Sequence, residues 1–432
     1  MSIPQLSIIL PNYNHAEFLP RCIEAFLGQS FGDFEFVVVD DASTDNSYEI
    51  LESYARKDSR IRLYRNPENR GVASTLNRAL SYCQGEYLHG AASDDYVLPG
   101  YFEAAMSLFQ QYPHAGICLG MTRCVNDYGL VTAVVPGDWD EARVYLAPEE
   151  LARRMTSCGV PGPSVWRRDA FLEAGGYNPD LRWHCDWFAL QVIAFRHGLC
   201  FLPEVFTVVR MAENSYSNNQ HRAADVQRQV LQILLRLLQQ PDYRDVVPLF
   251  EASGIFRQFG LGLALAAITT TSPLDGLIEL LKPHILPHSA NLLKAASAEI
   301  RCGSARFLGV CGADGLAFDR PLAEAARDRD PEVATSAAAA WRSIQRSLPF
   351  STRFTHNLRQ KVGRFLRRVD RRIHPLVHEH LERQEKLFDA VLNRQNEARH
   401  EVFVLRGQVE DLRKELAASR AAPQIESHRK AA

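Results

Sequence analysis

The strongest constraint on this chain is an alternation near its N-terminus. Short runs rich in β-branched and aromatic residues take turns with stretches of helical period: Leu6–Leu10, Glu17–Gln29, Phe34–Val39, Ser47–Arg56, Ile61–Tyr64, Val72–Tyr82 and Glu86–Gly90. Strands that alternate with helices build βαβ units, so a mainly parallel α/β sheet is expected. Polar clusters follow three of these strands at once: Pro11-Asn12-Tyr13-Asn14, Asp40-Asp41-Ala42-Ser43-Thr44-Asp45 and Ser93-Asp94-Asp95. Ligands of open α/β sheets bind beyond the carboxyl ends of the strands, so the three clusters are predicted to meet in one crevice.

Adjacent carboxylates facing a crevice repel each other and stay ionised only where a cation or donors compensate them, which makes Asp94 and Asp95 candidates for a divalent metal. Oxygen ligands select Mg2+ or Mn2+, whose open positions phosphate oxygens fill. The plainer alternative is that the pair forms a turn or caps a helix starting near Pro99. Asp40 and Asp41 have a similar alternative, because Ser43, Thr44 and Asp45 are all competent caps for the helix that follows. No other phosphate device competes. The chain has no GxxxxGK[ST], and Gly260-Leu261-Gly262 lies in a helical run without the third glycine of a dinucleotide fingerprint.

At 432 residues the chain has room for several folded units. Its 49 Lys+Arg against 51 Asp+Glu leave a formal charge of -2, so no overall field draws it to nucleic acid. Nine scattered cysteines, odd in number and without a CxxC pair, argue against a disulfide framework or a zinc ribbon and fit a reducing cytoplasm. No basic leader opens the sequence, and the longest apolar run, Phe259–Ile268, is about half of the roughly 20 residues a membrane span needs. Neither an export signal nor a spanning helix is expected.

All 14 tyrosines lie at or before Tyr243, and Trp341 alone among the tryptophans lies beyond Trp187, which places a boundary near 220. The α/β domain is expected over 1–220. An all-α domain over 221–350 follows from apolar residues at Val226, Val230, Leu234 and Leu237, and again at Val333, Ala337, Trp341 and Ile344. A basic amphipathic helix is expected over 351–374, because Phe354, Leu358, Val362, Phe365, Val369 and Ile373 share one face among many Lys and Arg and the single acid Asp370. Its segment 353–373 offers peripheral contact with the inner face of a membrane, each cation contributing about 1 kcal/mol near an anionic leaflet, or else it docks on the protein itself. A coiled coil is expected over 375–420. There a 3,4 spacing runs from Val377 through Leu381, Phe388, Val391, Ala398, Val402, Leu405, Val409 and Leu412 to Leu416, with Gln384 and Gln395 as its two polar positions. A lone helix cannot bury that seam, so 377–416 is expected to form a homo-oligomer, with folding back on the helical domain as the alternative. Residues 421–432 read as a disordered tail.

Taken in order, Ile8-Ile9-Leu10-Pro11-Asn12-Tyr13-Asn14, the run Gln29 to Asp45, Asn69 with Gly71 and Asn77, and Gly85-Glu86-Tyr87 leading to Asp94-Asp95 resemble the family 2 glycosyltransferases of the GT-A fold. The likeness covers the first half of the chain. It implies that Pro11, Tyr13, Asp41, Asn77 and Asp94 belong to the site of a nucleoside-diphosphate sugar, with Tyr13 near the base, Asp41 accepting from its ring N–H and Asp94 by the ribose and diphosphate. Asp95 matches the metal-binding carboxylate of an Asp-X-Asp motif whose first position is here Ser93. Gly162 to Arg168, Gly175-Gly176-Tyr177 and His184-Cys185-Asp186-Trp187 match the acceptor half. Cys185 stands where the family has the first of two acids, and Asp186 keeps the second, the implied catalytic base. An inverting transfer needs one such base to take the acceptor's proton. The alternative, that Asp186 merely caps the helix after it, is compatible with that role. Trp183 and Trp187 flank Asp186 and could each pack on a sugar face or in the core. Relatives often place a histidine two residues after Arg210, where this chain has Ala212; His221 could substitute.

The resemblance implies an enzyme that transfers a sugar to a glycan or lipid-linked acceptor in surface polysaccharide or glycoconjugate synthesis. The alternative is a catalytically inactive scaffold that acts through its coiled coil. The presence of both Asp95 and Asp186 favours the enzyme.

Overall fold

The computed structural model describes residues 3–136, 139, 144–155, 159–212, 224–270, 274 and 276–348. His221, the boundary near 220, the basic helix, the coiled coil and the tail lie outside the described residues.

The alternation appears almost residue for residue as β1 (Leu6–Asn12), α1 (Leu19–Leu27), β2 (Phe34–Asp40), α2 (Ser47–Lys57), β3 (Ile61–Arg65), α3 (Val72–Tyr82) and β4 (Tyr87–Gly90). The helix α1 is shorter than its apolar pattern at both ends. Pro20 lies in its first turn, where a missing N–H costs nothing, and Gly28 closes it. The chain continues through β5 (Tyr96–Val97), α4 (Tyr101–Gln111), β6 (Ile117–Val125), β7 (Val131–Val135), β8 (Tyr145–Leu146), α5 (Pro148–Arg154), β9 (Val165–Arg167), α6 (Arg168–Glu173), α7 (Trp187–His197) and β10 (Leu199–Arg210). These strands form one ten-stranded sheet in the order β3-β2-β1-β4-β9-β6-β10-β5, with β7 on β6 and β8 on β10. Pairing is parallel from β3 to β4 and between β6 and β10, while β9 runs antiparallel to both its neighbours.

Side chains of the central strands divide by alternation between two faces, as pleated geometry requires. Ile8, Leu10, Phe36 and Val38 pack with Ile23, Phe26, Phe102 and Met106 of α1 and α4. Ile9, Val37 and Val39 turn instead toward Leu76 and Ala79 of α3. With both faces covered, the strands read as unbroken apolar runs.

The helical part comprises α8 (Ala224–Leu238), α9 (Val247–Ala252), α10 (Gly260–Ile268), α11 (Ile278–Ile285), α12 (Ser289–Leu292), α13 (Ala298–Val310), α14 (Asp319–Ala325) and α15 (Pro331–Ser347). It shares one apolar core with the sheet, and Met1–Ser347 forms a single compact unit. The joint is α7, whose residues Phe188 to Phe195 are all buried. Apart from Gln191, which bonds Val160, these residues are apolar, and such a helix must be covered on every side. Phe188 and Phe195 meet Phe250 at ring-centroid distances of 6.3 and 4.9 Å, and Trp187 meets Phe259 at 5.6 Å. Each such ring contributes about 1.5–3 kcal/mol by burial, so the helical part fixes the helix that begins at Asp186. Among the described residues no helix is long and apolar enough to cross a membrane.

At the amino ends of the strands, a buried polar cluster sets the register of β1 and β4. Glu35 accepts from Ser7 Oγ at 2.6 Å and from the Gln84 N–H at 2.5 Å, and Arg62 completes an ion pair with it. Ser7 Oγ in turn accepts the Gly85 N–H at 2.8 Å. A Cβ on Gly85 would stand 2.6 Å from the Ser7 backbone nitrogen, so nothing larger than glycine fits without parting β4 from β1. Gly85→Ala is therefore expected to lower stability by about 1–3 kcal/mol, the usual cost of overpacking, read as a drop in denaturation midpoint. An unchanged midpoint would show that the strands can part freely.

Candidate active site

The site is built from strand ends at one level. Asn12 of β1 is in register with Asp40 of β2, and on the other side of β1, Ile9 is in register with Gly90 of β4. Short hydrogen bonds tie the loops that follow. Asn14 Oδ1 accepts from the Thr44 N–H at 2.8 Å, and Ser93 Oγ donates to the Pro11 carbonyl at 3.1 Å. The loops border a cavity of about 940 Å³ whose lining includes Pro11, Tyr13, Asp41, Asp94, Asp95 and Asp186. Asn77 is not among the lining residues: its amide donates to the Tyr177 carbonyl at 2.8 Å. That bond joins α3 to the segment leading to Asp186, so Asn77 shapes the wall from behind.

Neighbouring carboxylates do different work here. Asp40 is fully buried and accepts from Asn12 Nδ2 at 3.0 Å and from Ser43 Oγ at 2.5 Å, binding the first two loops together. Asp41 is 3% exposed and accepts from Asn66 Nδ2 and from the N–H groups of Arg70 and Gly71, at 2.5, 2.9 and 2.9 Å. It fixes the segment entering α3 while still bordering the cavity. Tyr13, 43% exposed, stands at the mouth. Among the described residues, the non-glycine positions of positive φ are Asn14, Ala42 and Arg182 (54°, 60° and 51°); Arg182 lines the cavity, and the other two are next in sequence to the lining residues Tyr13 and Asp41. Left-handed backbone at non-glycine residues costs free energy and concentrates at functional sites.

Burial, and then the charge of Asp94, push the Asp95 carboxyl well above the usual carboxylate range. Its Oδ1 accepts the Arg210 N–H at 2.8 Å. The Arg210 guanidinium lies 3.6 Å from Asp94 and 2.5 Å from Asp127. Among the described residues no three His, Cys, Asp or Glu are placed to hold a metal ion.

Asp186 caps α7, its Oδ1 accepting the Trp187 N–H at 2.7 Å, and burial raises its pKa. Its Oδ2 lies 2.9 Å from where a Cβ on Gly162 would sit, so glycine there leaves room for the carboxylate. Cys185 and Trp183 also line the cavity, whereas Trp187 packs against His184 and Phe259. Ala212 lines it as well. His89 is also in the wall; burial drives its pKa down to about 4, so it stands there as a neutral imidazole, with its Nδ1 3.0 Å from the Ser164 carbonyl.

Residues 7–162 match the family model described as Glycosyl transferase family 2. This region is a family 2 glycosyltransferase domain. Its relatives include a chondroitin synthase of Pasteurella multocida (strain Pm70), 34% identical over 131 residues, which are 30% of this chain and 14% of that protein. An uncharacterized glycosyltransferase, EpsJ, of Bacillus subtilis (strain 168) is 39% identical over 147 residues, covering 34% of this chain and 42% of the relative. The chain thus spans less than half the length of these two relatives. Among solved structures, S. aureus TarS 1-349 in complex with UDP-GlcNAc has a TM-score of 0.47 at 16% identity, covering 79% of this chain and 89% of that one. The mannosyltransferase PcManGT of Pyrobaculum calidifontis, in complex with GDP-Man and Mn2+, has a TM-score of 0.43 at 20% identity, covering 79% and 86%.

Within this glycosyltransferase domain, sequence reasoning missed Asp127 and the Asn66 contact to Asp41, and beyond it the contacts of Arg210. Asn66 follows β3 as Asp41 follows β2, a position that the strand-end rule could have flagged. Nothing local in the sequence marks Asp127, which lies in the hairpin between β6 and β7.

Because burial raises the folded-state pKa of Asp186 above that of an unfolded carboxyl, the folded protein holds this proton more tightly. The stability so gained is present in acid and is lost as pH rises through the raised pKa. Asp186→Asn, which keeps a capping oxygen, is expected to melt above the wild type near pH 7, with the gap closing as the medium is acidified below the ordinary carboxyl range. Melting curves at neutral and acid pH check this; equal melting at pH 7 would mean that the ionised carboxylate is compensated in the folded protein.

Proposed function

We propose that the protein is a glycosyltransferase that moves a sugar, with inversion, from a nucleoside-diphosphate sugar to a glycan or lipid-linked acceptor. The observation that carries this reading is that Asp41, Asp94, Asp95 and Asp186, drawn from separate stretches of the chain, line one cavity of about 940 Å³ bordering a family 2 domain. That volume lies within the range of small-molecule sites and suits a nucleotide sugar with part of an acceptor. The chondroitin and hyaluronan synthases of Pasteurella multocida among the relatives support a polysaccharide product.

In this reading Tyr13 at the mouth packs on the base, while Asp41 accepts from its ring N–H. Asp186 takes the proton from the acceptor hydroxyl as that oxygen bonds to the anomeric carbon, and the bond from this carbon to the diphosphate oxygen breaks, releasing the nucleoside diphosphate. Its raised pKa suits it to hold that proton. Asp95 and Asp94 fit a Mg2+ or Mn2+ ion, which commonly uses one or two carboxylates and takes its remaining ligands from phosphate and water. Such an ion would neutralise charge on the leaving diphosphate.

Calorimetry with UDP and with GDP, each with Mn2+, tests the site. Wild type is expected to bind at least one of them, and Asp95→Ala to lose about tenfold or more of the metal-dependent affinity, the scale of a charged interaction. Failure of the wild type to bind any nucleoside diphosphate would favour the inactive scaffold. We further propose that 377–416 joins copies of the chain and that 353–373 supplies peripheral membrane contact. Ending the chain after residue 350 is expected to abolish self-association in sedimentation while leaving nucleotide binding intact; an unchanged oligomer would refute the coiled coil.

A further inference from the structure

Among the described residues lining the cavity, the carboxylates Asp41, Asp94, Asp95, Asp127 and Asp186 face two guanidinium groups, Arg182 and Arg210. Arg182 lies four residues before Asp186, in the acceptor half. Arg210 ends β10 and reaches the Asp94-Asp95 pair. Its parts are engaged in four ways. The backbone N–H donates to Asp95 Oδ1 at 2.8 Å, and one guanidinium nitrogen lies 3.6 Å from Asp94 Oδ2. The other lies 2.5 Å from Asp127 Oδ1, and the guanidinium carbon sits 4.4 Å from the centre of the Phe18 ring.

These contacts are unequal. The backbone bond depends on the course of β10 and survives any motion of the side chain. The pair with Asp94 is long and single-pronged, whereas a guanidinium meets carboxylate or phosphate best through two parallel N–H groups at 2.7–2.9 Å. Asp127, 40% exposed on its side chain, belongs to the hairpin between β6 and β7. Phe18 places a ring face against the guanidinium and takes up none of its N–H groups. The guanidinium is therefore held at the pair without being used up by it.

We propose that Arg210 is the resident counter-cation of the donor site. With the cavity empty it offsets Asp94 and ties down Asp127. When a nucleoside diphosphate enters, the guanidinium swings past Phe18 to the diphosphate oxygens, frees Asp94 to join Asp95 in holding a divalent cation, and parts from Asp127. The inference rests on reading the cavity as a nucleotide-sugar site. It makes metal and diphosphate binding interdependent: the cation competes with Arg210 at Asp94 until the diphosphate draws Arg210 away.

The test measures Mn2+ alone, UDP alone, GDP alone and each nucleotide with Mn2+, by calorimetry on the full chain, for the wild type, Arg210→Met and Asp127→Asn. Arg210→Met keeps the stem and the backbone N–H. It is expected to bind Mn2+ alone several-fold more tightly than the wild type and the metal-free nucleotide about tenfold more weakly, the scale of a lost charged hydrogen bond. Asp127→Asn is expected to bind the metal-free nucleotide several-fold more tightly, because the guanidinium has one competitor fewer. A merely structural arginine would weaken both ligands together. Wild-type nucleotide binding with unchanged or jointly weakened affinities in Arg210→Met, or unchanged nucleotide affinity in Asp127→Asn, would overturn the proposal and leave the site standing. Absence of nucleotide binding to the wild type would overturn the site and the proposal with it.

Discussion

The parallel pairing of β1 with β2 on one side and β4 on the other is the constraint on which the site depends. Parallel strands share a direction, so loops that are remote in sequence leave the sheet together. Asn12 against Asp40 and Ile9 against Gly90 set the level of these exits. Fully buried Asp40 then bonds Asn12 at the end of β1 to Ser43 in the second loop, and Ser93 bonds the third loop to Pro11 of β1. Sliding β4 by one residue would exchange its two faces and carry Asp94 and Asp95 off the rim.

Electrostatics divides the acids by function. Asp40 and Asp41 are satisfied by donors from the protein, and such carboxylates are structural anchors whatever else they touch. Asp95 and Asp186 each accept one backbone N–H, and both have pKa values raised first by burial. A carboxyl largely withdrawn from water at a cavity wall, with so few donors, carries an electrostatic cost that a fold alone gives no reason to keep, and perturbed groups in a cleft mark function. Arg210 offsets part of that cost at Asp94 and Asp95. At Asp186, Gly162 leaves the carboxylate steric room and no charge to offset that cost.

The strands, the helices between them and the cavity's first carboxylates were legible because they obey local rules: alternation gives the elements, and strand ends give the loops. Asp186 was legible both as a cap and as a candidate base, and its N-cap bond is compatible with either role. What stayed hidden depends on distance in sequence. Arg210 reaches Asp94 and Asp127 through β10, a strand whose pairing with β6 shifts register twice, and no local pattern announces where such a strand ends. Asn77 resembles a donor-site residue in sequence, yet its amide is committed to Tyr177, a partner one hundred positions away. The helices after Ala224 were expected as an all-α domain. Their apolar faces are continuous with the core around α7, because Phe188 and Phe195 need cover that the sheet alone does not supply.

Anomalous diffraction at the manganese edge, from crystals grown with UDP or GDP and Mn2+, tests most directly whether the strand ends form a diphosphate site. The expected result is one strong peak against Asp95, with the diphosphate beside it and the Arg210 side chain turned toward the phosphates. A nucleotide seated elsewhere, or manganese bound away from Asp94 and Asp95, would contradict it.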